Sequence, residues 1–119
     1  MKRILLMVMF ILIAATSAQA KIKTVGKGET LNFDPKSIPP RFFEAFGVMK
    51  AKCVTCHTME RTVVAIQSGV APITGQLFDK QATKAYAIKM MRKPKSGMSR
   101  DEIKQVYQLM NYMIDEQNK

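Results

Sequence analysis

The sequence predicts one all-α domain of three or so helices, and three observations predict it. Apolar residues recur at helical spacing in three stretches: near residues 40–52, near residues 79–91, and after Ser99. The last stretch is opened by Ser99-Arg100-Asp101-Glu102, an S-x-x-E capping box. The chain has 119 residues, enough for one core and no more. Composition narrows the chemistry further. With a single His, a Ser-His-Asp triad would have to use that residue, and a two-His metal site is impossible. Two Cys exclude a disulfide-dense miniprotein. Five Pro and six Gly argue against a coiled coil.

Residues 1–20 read as an export signal. Lys2 and Arg3 make a basic start, residues 4–15 are an unbroken apolar run, and Ala18-Gln19-Ala20 places cleavage after Ala20. As a helix the apolar run spans about 18 Å, too short for a hydrocarbon core of about 30 Å. No Cys stands near the cleavage site for lipid attachment. The expected location is therefore the periplasm, with no membrane-spanning anchor after cleavage. Residues 21–119 then hold 17 basic and 9 acidic residues, a net charge of +8. Export sets nucleic acid aside as a partner. Acidic proteins, anionic lipid head groups and surface polyanions remain, beside the plain solubility that any charged face confers.

Residues 21–36 are polar, basic and without period, and are expected to form a loose N-terminal extension; the domain proper is placed at residues 37–119. Ser37-Ile38-Pro39-Pro40 looks like a helix entry, and Phe42, Phe46 and Met49 recur at helical spacing up to Lys52. Gly47 within that helix costs on the order of 1 kcal/mol relative to Ala. The chain after the cysteines reads as irregular, punctuated by Gly69, Pro72 and Gly75. Residues 79–91 form the next helix, with Ala82, Tyr86 and Met90, or the neighbouring Ile88 and Met91, facing inward. The segment from Arg92 to Gly97 breaks it. The helix opened by Ser99 presents Ile103, Val106, Met110 and Met113 on one face, with Tyr107 and Ile114 beside them.

Cys53-Val54-Thr55-Cys56-His57 is C-x-x-C-H, the attachment signal of a c-type haem. Two thiols three positions apart reach the two vinyl groups of one porphyrin, and the adjacent imidazole is held under the iron. A zinc site would need a carboxylate as its fourth ligand, since Cys53, Cys56 and His57 exhaust the soft donors. A thiol-disulfide pair would want a strand-to-helix context that the neighbouring residues lack. One haem c is thus the expected cofactor. Its sixth ligand cannot be a second imidazole, because there is none. Met49, Met110 and Met113 fit core faces and Met59 is too near His57, which leaves Met90, Met91 and Met98.

With these residues in place, residues 40–115 resemble the class I c-type cytochromes, small monohaem carriers with His/Met iron. The resemblance rests on the helix leading into CVTCH, on GVAPITG (residues 69–75) as the loop after it, and on MRKPKSGMS (residues 91–99) as the ligand segment. It implies a small cytochrome c fold around one covalent haem. It also implies Met91, eight residues before Ser99, as the axial ligand beside His57, with Met90 and Met98 as alternatives. Pro72 is implied to accept the His57 Nδ1–H bond through its carbonyl. The chain departs from the family pattern at Ala45 and Met49, where Gly and an aromatic are usual. It departs again in its C-terminal aromatic, which is Tyr107 or Tyr112 rather than a residue near position 109.

The function so implied is an outer-sphere electron carrier between redox proteins, a monomer and not an enzyme. Lys50, Lys52, Lys89, Arg92, Lys93 and Lys95 would form a basic docking ring for acidic redox partners. The alternative is a haem sensor or small peroxidase with a labile or open sixth position, a reading weakened by the lack of a distal His. A haem that mainly staples a small core is compatible with either.

Overall fold

The structure is a computed structural model and describes residues 22–119; the expected export signal lies outside the described residues. Two short strands open it, β1 (Thr24–Val25) and β2 (Asn32–Phe33), paired antiparallel with Thr24 opposite Phe33. The chain reverses between them through Gly26, whose φ is +80°. A Cβ there would run into the Thr30 carbonyl, so the turn accepts only glycine. Single 3-10 turns at Pro35–Ser37 and Pro40–Phe42 lead into α1 (Phe43–Lys52), where the fixed φ of proline suits the first turn. After α1 a 3-10 turn spans Cys53–Thr55, and α2 follows at Met59–Ser68. Then come α3 (Lys80–Met91) and α4 (Arg100–Gln117).

The described residues are thus mostly helical, with four helices and one two-stranded sheet rather than three helices alone. The extra helix is α2, in a stretch the sequence presents as irregular. Met59, Val63 and Ile66 fall three and four apart and are all buried. Gly69 ends the helix in the left-handed region at φ +72°, so the glycine read as loop punctuation is also a helix stop.

Helix α4 is the hub, packed on α1, α2 and α3. Its capping box forms as the sequence indicates: Ser99 Oγ accepts from the Glu102 amide at 3.1 Å, and a Glu102 carboxylate oxygen accepts from the Ser99 amide at 2.8 Å. Ile103, Val106, Met110, Met113 and Ile114 are buried on one face together with Leu109. Ala45, Phe46 and Met49 face the same core from α1, and Gly47 sits on the exposed side. Phe42 stacks on Tyr112 at 5.0 Å, with the Arg41 guanidinium over both rings. Helix α3 runs antiparallel to α4, joined by Lys80–Asp115 at 2.6 Å and by the buried Thr83 hydroxyl donating to Asn111 at 2.9 Å.

The N-terminal extension is not loose. Ile22, Phe33 and Ile38 are buried in the same core as the helices, Phe33 at 1% exposure, and the hairpin lies against α2. Two-residue strands carry no readable period, which is why the segment looks featureless in sequence. The residue 36/37 boundary therefore divides one core rather than two units. Phe33→Ala is expected to cost about 3–5 kcal/mol, as for any large buried ring; a denaturant midpoint unchanged by the substitution would show that the extension does not belong to the core.

Candidate functional site

The end of α1, the start of α2, the 71–74 loop, α3, the 93–98 loop and α4 enclose a cavity of about 350 Å³. Met49, Ala65, Phe78, Val106 and Met110 give it an apolar wall. Cys53, Cys56 and His57 lie together on it, placed by the 3-10 turn that continues α1. Both thiols are free, Cys53 half-buried and Cys56 exposed. Burial pushes the Cys53 thiol up, and the neighbouring Cys56 adds to that.

His57 Nδ1 donates to the Thr58 carbonyl at 2.8 Å. In the neutral ring this leaves the Nε2 lone pair as the one available to a metal. The bond expected to the Pro72 carbonyl is therefore made elsewhere. Thr58 is extended as it caps α2, with ψ 158°. Pro72 lines the cavity without serving His57 in this way.

Of the three candidate methionines, Met90 and Met98 line the cavity and Met91 does not. Met91 is 46% exposed and lies instead along a separate cleft with Ile88, Ile103 and Tyr107. The reason is helical. Consecutive residues of α3 diverge by about 100°, so Tyr86, Met90 and, past the helix end, Lys93 share the cavity side while Met91 turns away. Met98 packs against the hydrophobic core, whereas Met90 is not among the side chains that pack against it.

The expected basic ring divides. Lys89, Lys93 and Lys95 line the cavity, and Arg61 of α2 joins them, a residue whose role is hidden in sequence by the unread helix. Lys50 instead lies over the Phe46 ring at 4.8 Å, and Arg92 is exposed outside the cavity lining. Lys52 also lines the cavity but is held in a clamp. Its Nζ donates to the Gly97 carbonyl at 2.7 Å and to both Glu102 carboxylate oxygens at 2.7 and 2.8 Å. Hydrogen bonds from Lys52 and then from the Ser99 amide hold the Glu102 carboxyl below the usual carboxylate range. The residue before Cys53 is thereby tied to the residue before Met98.

Phe78 and Tyr86, 5.6 Å apart, complete the wall, a pairing that no local periodicity in the sequence marks. Among the described residues no three His, Cys, Asp or Glu side chains converge to hold a metal ion. Nor is any described helix long and apolar enough to cross a membrane. No protein-family model, curated protein or solved structure matches the chain.

Proposed function

We propose that this chain is an exported monohaem c-type cytochrome, an electron carrier of the class I type working by outer-sphere transfer in the periplasm. The observation that carries the reading is the meeting of Cys53, Cys56 and His57 with two methionines on one apolar cavity. The residues present fit the group: paired thiols for two thioether links, an imidazole with Nε2 available, a thioether donor, an apolar wall for the macrocycle and cations for its carboxylates. When bound, haem c would supply a one-electron iron couple.

The protein's own part follows from the site. Cys53 and Cys56 would hold the group covalently, so that an exported protein would not lose it. The Thr58 carbonyl fixes the His57 tautomer and strengthens Nε2 as a donor. Met90, on the cavity side of α3 and not packed in the core, would supply the thioether donor to the iron in place of Met91, with Met98 as the alternative. Met49, Phe78, Val106 and Met110 would keep water from the bound group, which with a Met donor would favour the ferrous state. Arg61, Lys89, Lys93 and Lys95 give the mouth a positive field, suited to acidic redox partners and weakened by salt.

The test is expression with a haem-attachment system, followed by optical spectra of both oxidation states. A covalent, low-spin haem that ignores carbon monoxide when reduced is the expected result. A high-spin ferric spectrum with rapid carbon monoxide binding would replace the carrier with a sensor or peroxidase. A protein that takes up no covalent haem would end the reading based on CVTCH.

A further inference from the structure

A second basic face lies on the other side of α3. Lys84 of α3 and Arg100 and Lys104 of α4 rim a cleft of about 370 Å³ that shares no lining residue with the first cavity. Ile88 and Met91 stand in it at 39% and 46% exposure, and Tyr107 lies beside them. No acidic side chain lines the cleft, and no ion pair among the described residues engages the three cations. Charge is concentrated here along the chain as well. Residues 80–104 hold eight Lys and Arg against Asp101 and Glu102, so this segment contributes +6 of the net +8 that residues 21–119 carry.

We infer that this α3–α4 face is a docking surface for an anionic phospholipid bilayer. Long, unpaired cations on both helices would meet head-group phosphates, while Ile88 and Met91 would enter the boundary below them. An aromatic ring with one polar end, such as Tyr107, belongs at that depth. A bilayer suits the face better than an acidic protein, because beyond its flexible cations the cleft offers only the Tyr107 hydroxyl with which to read a peptide. The inference does not rest on the haem, since none of these residues lines the first cavity. It leaves that cavity's lining clear of the surface that docks.

The experiment is flotation of the purified full chain with phosphatidylglycerol–phosphatidylcholine vesicles and, in parallel, with pure phosphatidylcholine vesicles. Binding is expected only to the former, and it should fall as salt shortens the screening length. The triple variant K84E/R100E/K104E should weaken it by about tenfold or more. I88S/M91S should weaken it severalfold while leaving its salt dependence in place. A variant of equal net charge, K23E/K27E/K36E, reverses three exposed lysines of the N-terminal segment and should keep most of the binding. All variants share one N-terminus, so any contribution of residues 4–15 cancels between them. Equal weakening by the N-terminal variant would overturn the inference, as that would be net charge alone. So would binding that ignores the α3–α4 variants, or a face that captures an acidic peptide or a second copy of the chain but no vesicle.

Discussion

If the chain carries the proposed haem c, replacing Met90 by alanine is expected to remove the far-red thioether–iron band of the oxidised protein, lower its potential and open the iron to carbon monoxide, and replacing Met91 is expected to change none of these. The contrast is large because a ligand lost from iron is a change of coordination number, whereas Met91 is a half-exposed residue on another cleft. Spectra of Met90→Ala, Met91→Ala and Met98→Ala, recorded side by side, check it. Met98→Ala is expected to keep the band but to cost about 2–5 kcal/mol at most, being half-buried against the core rather than inside it. A band lost only in Met91→Ala would mean that α3 turns or unwinds at its end when haem is attached. Loss only in Met98→Ala would move the ligand to the 93–98 loop.

The second large effect is expected at the clamp that ties α1 to the loop before α4. Lys52→Met removes the donor that reaches the Gly97 carbonyl and the Glu102 carboxylate at once. The attachment end of α1 then loses its fixed spacing from the 93–98 loop. The haem protein should lose its thioether–iron band at a lower temperature than wild type, while Lys52→Arg, which keeps charge and donors, recovers most of the difference. A Lys52→Met protein whose band and melting match wild type would remove the clamp from the site. Glu102 adds a pH signature with a definite sign. Its carboxyl is depressed in the folded state, so its stabilisation is complete above the ordinary Glu range and is lost as pH falls through the lowered value. Glu102→Gln should therefore flatten the acid limb of the stability profile and leave the neutral and alkaline limbs parallel to wild type. Ser99→Ala tests the cap alone, at about 1 kcal/mol, which for a domain of this size is roughly 4–8 °C.

What the sequence made legible follows from how strongly each feature is written into local residue order. Helix α4 is readable because its cap and its apolar face are both periodic signals, and the core residues found on it are those the spacing indicates. Helix α1 is readable for the same reason, from Phe46 and Met49. Helix α2 is not, although Met59, Val63 and Ile66 carry the period, because it runs into a Gly- and Pro-bearing loop that dominates the reading. The hairpin is invisible because its burial depends on partners in α2 that are distant in the chain.

At the site, CVTCH is legible because the pentapeptide holds every Cys and the only His. Which methionine lines the cavity is not legible by counting to Ser99, since a count along the chain fixes distance and not the side of a helix. Which of two adjacent residues faces the cavity depends on how α3 is rotated against α4, and the Thr83–Asn111 bond and buried Ala87 help to set that rotation.

The position of α4 as hub also has a meaning in time. Val106 and Met110, part of the cavity wall, follow every other cavity residue in chain order, and α4 touches each of the other three helices. A chain that emerges from its N-terminal side presents Cys53, Cys56 and His57 well before the wall behind them exists. For that interval the three residues form an open strip, within reach of whatever would attach the proposed haem. The docking of α4 then closes the chamber, so that the last helix to appear is the one that shuts the site.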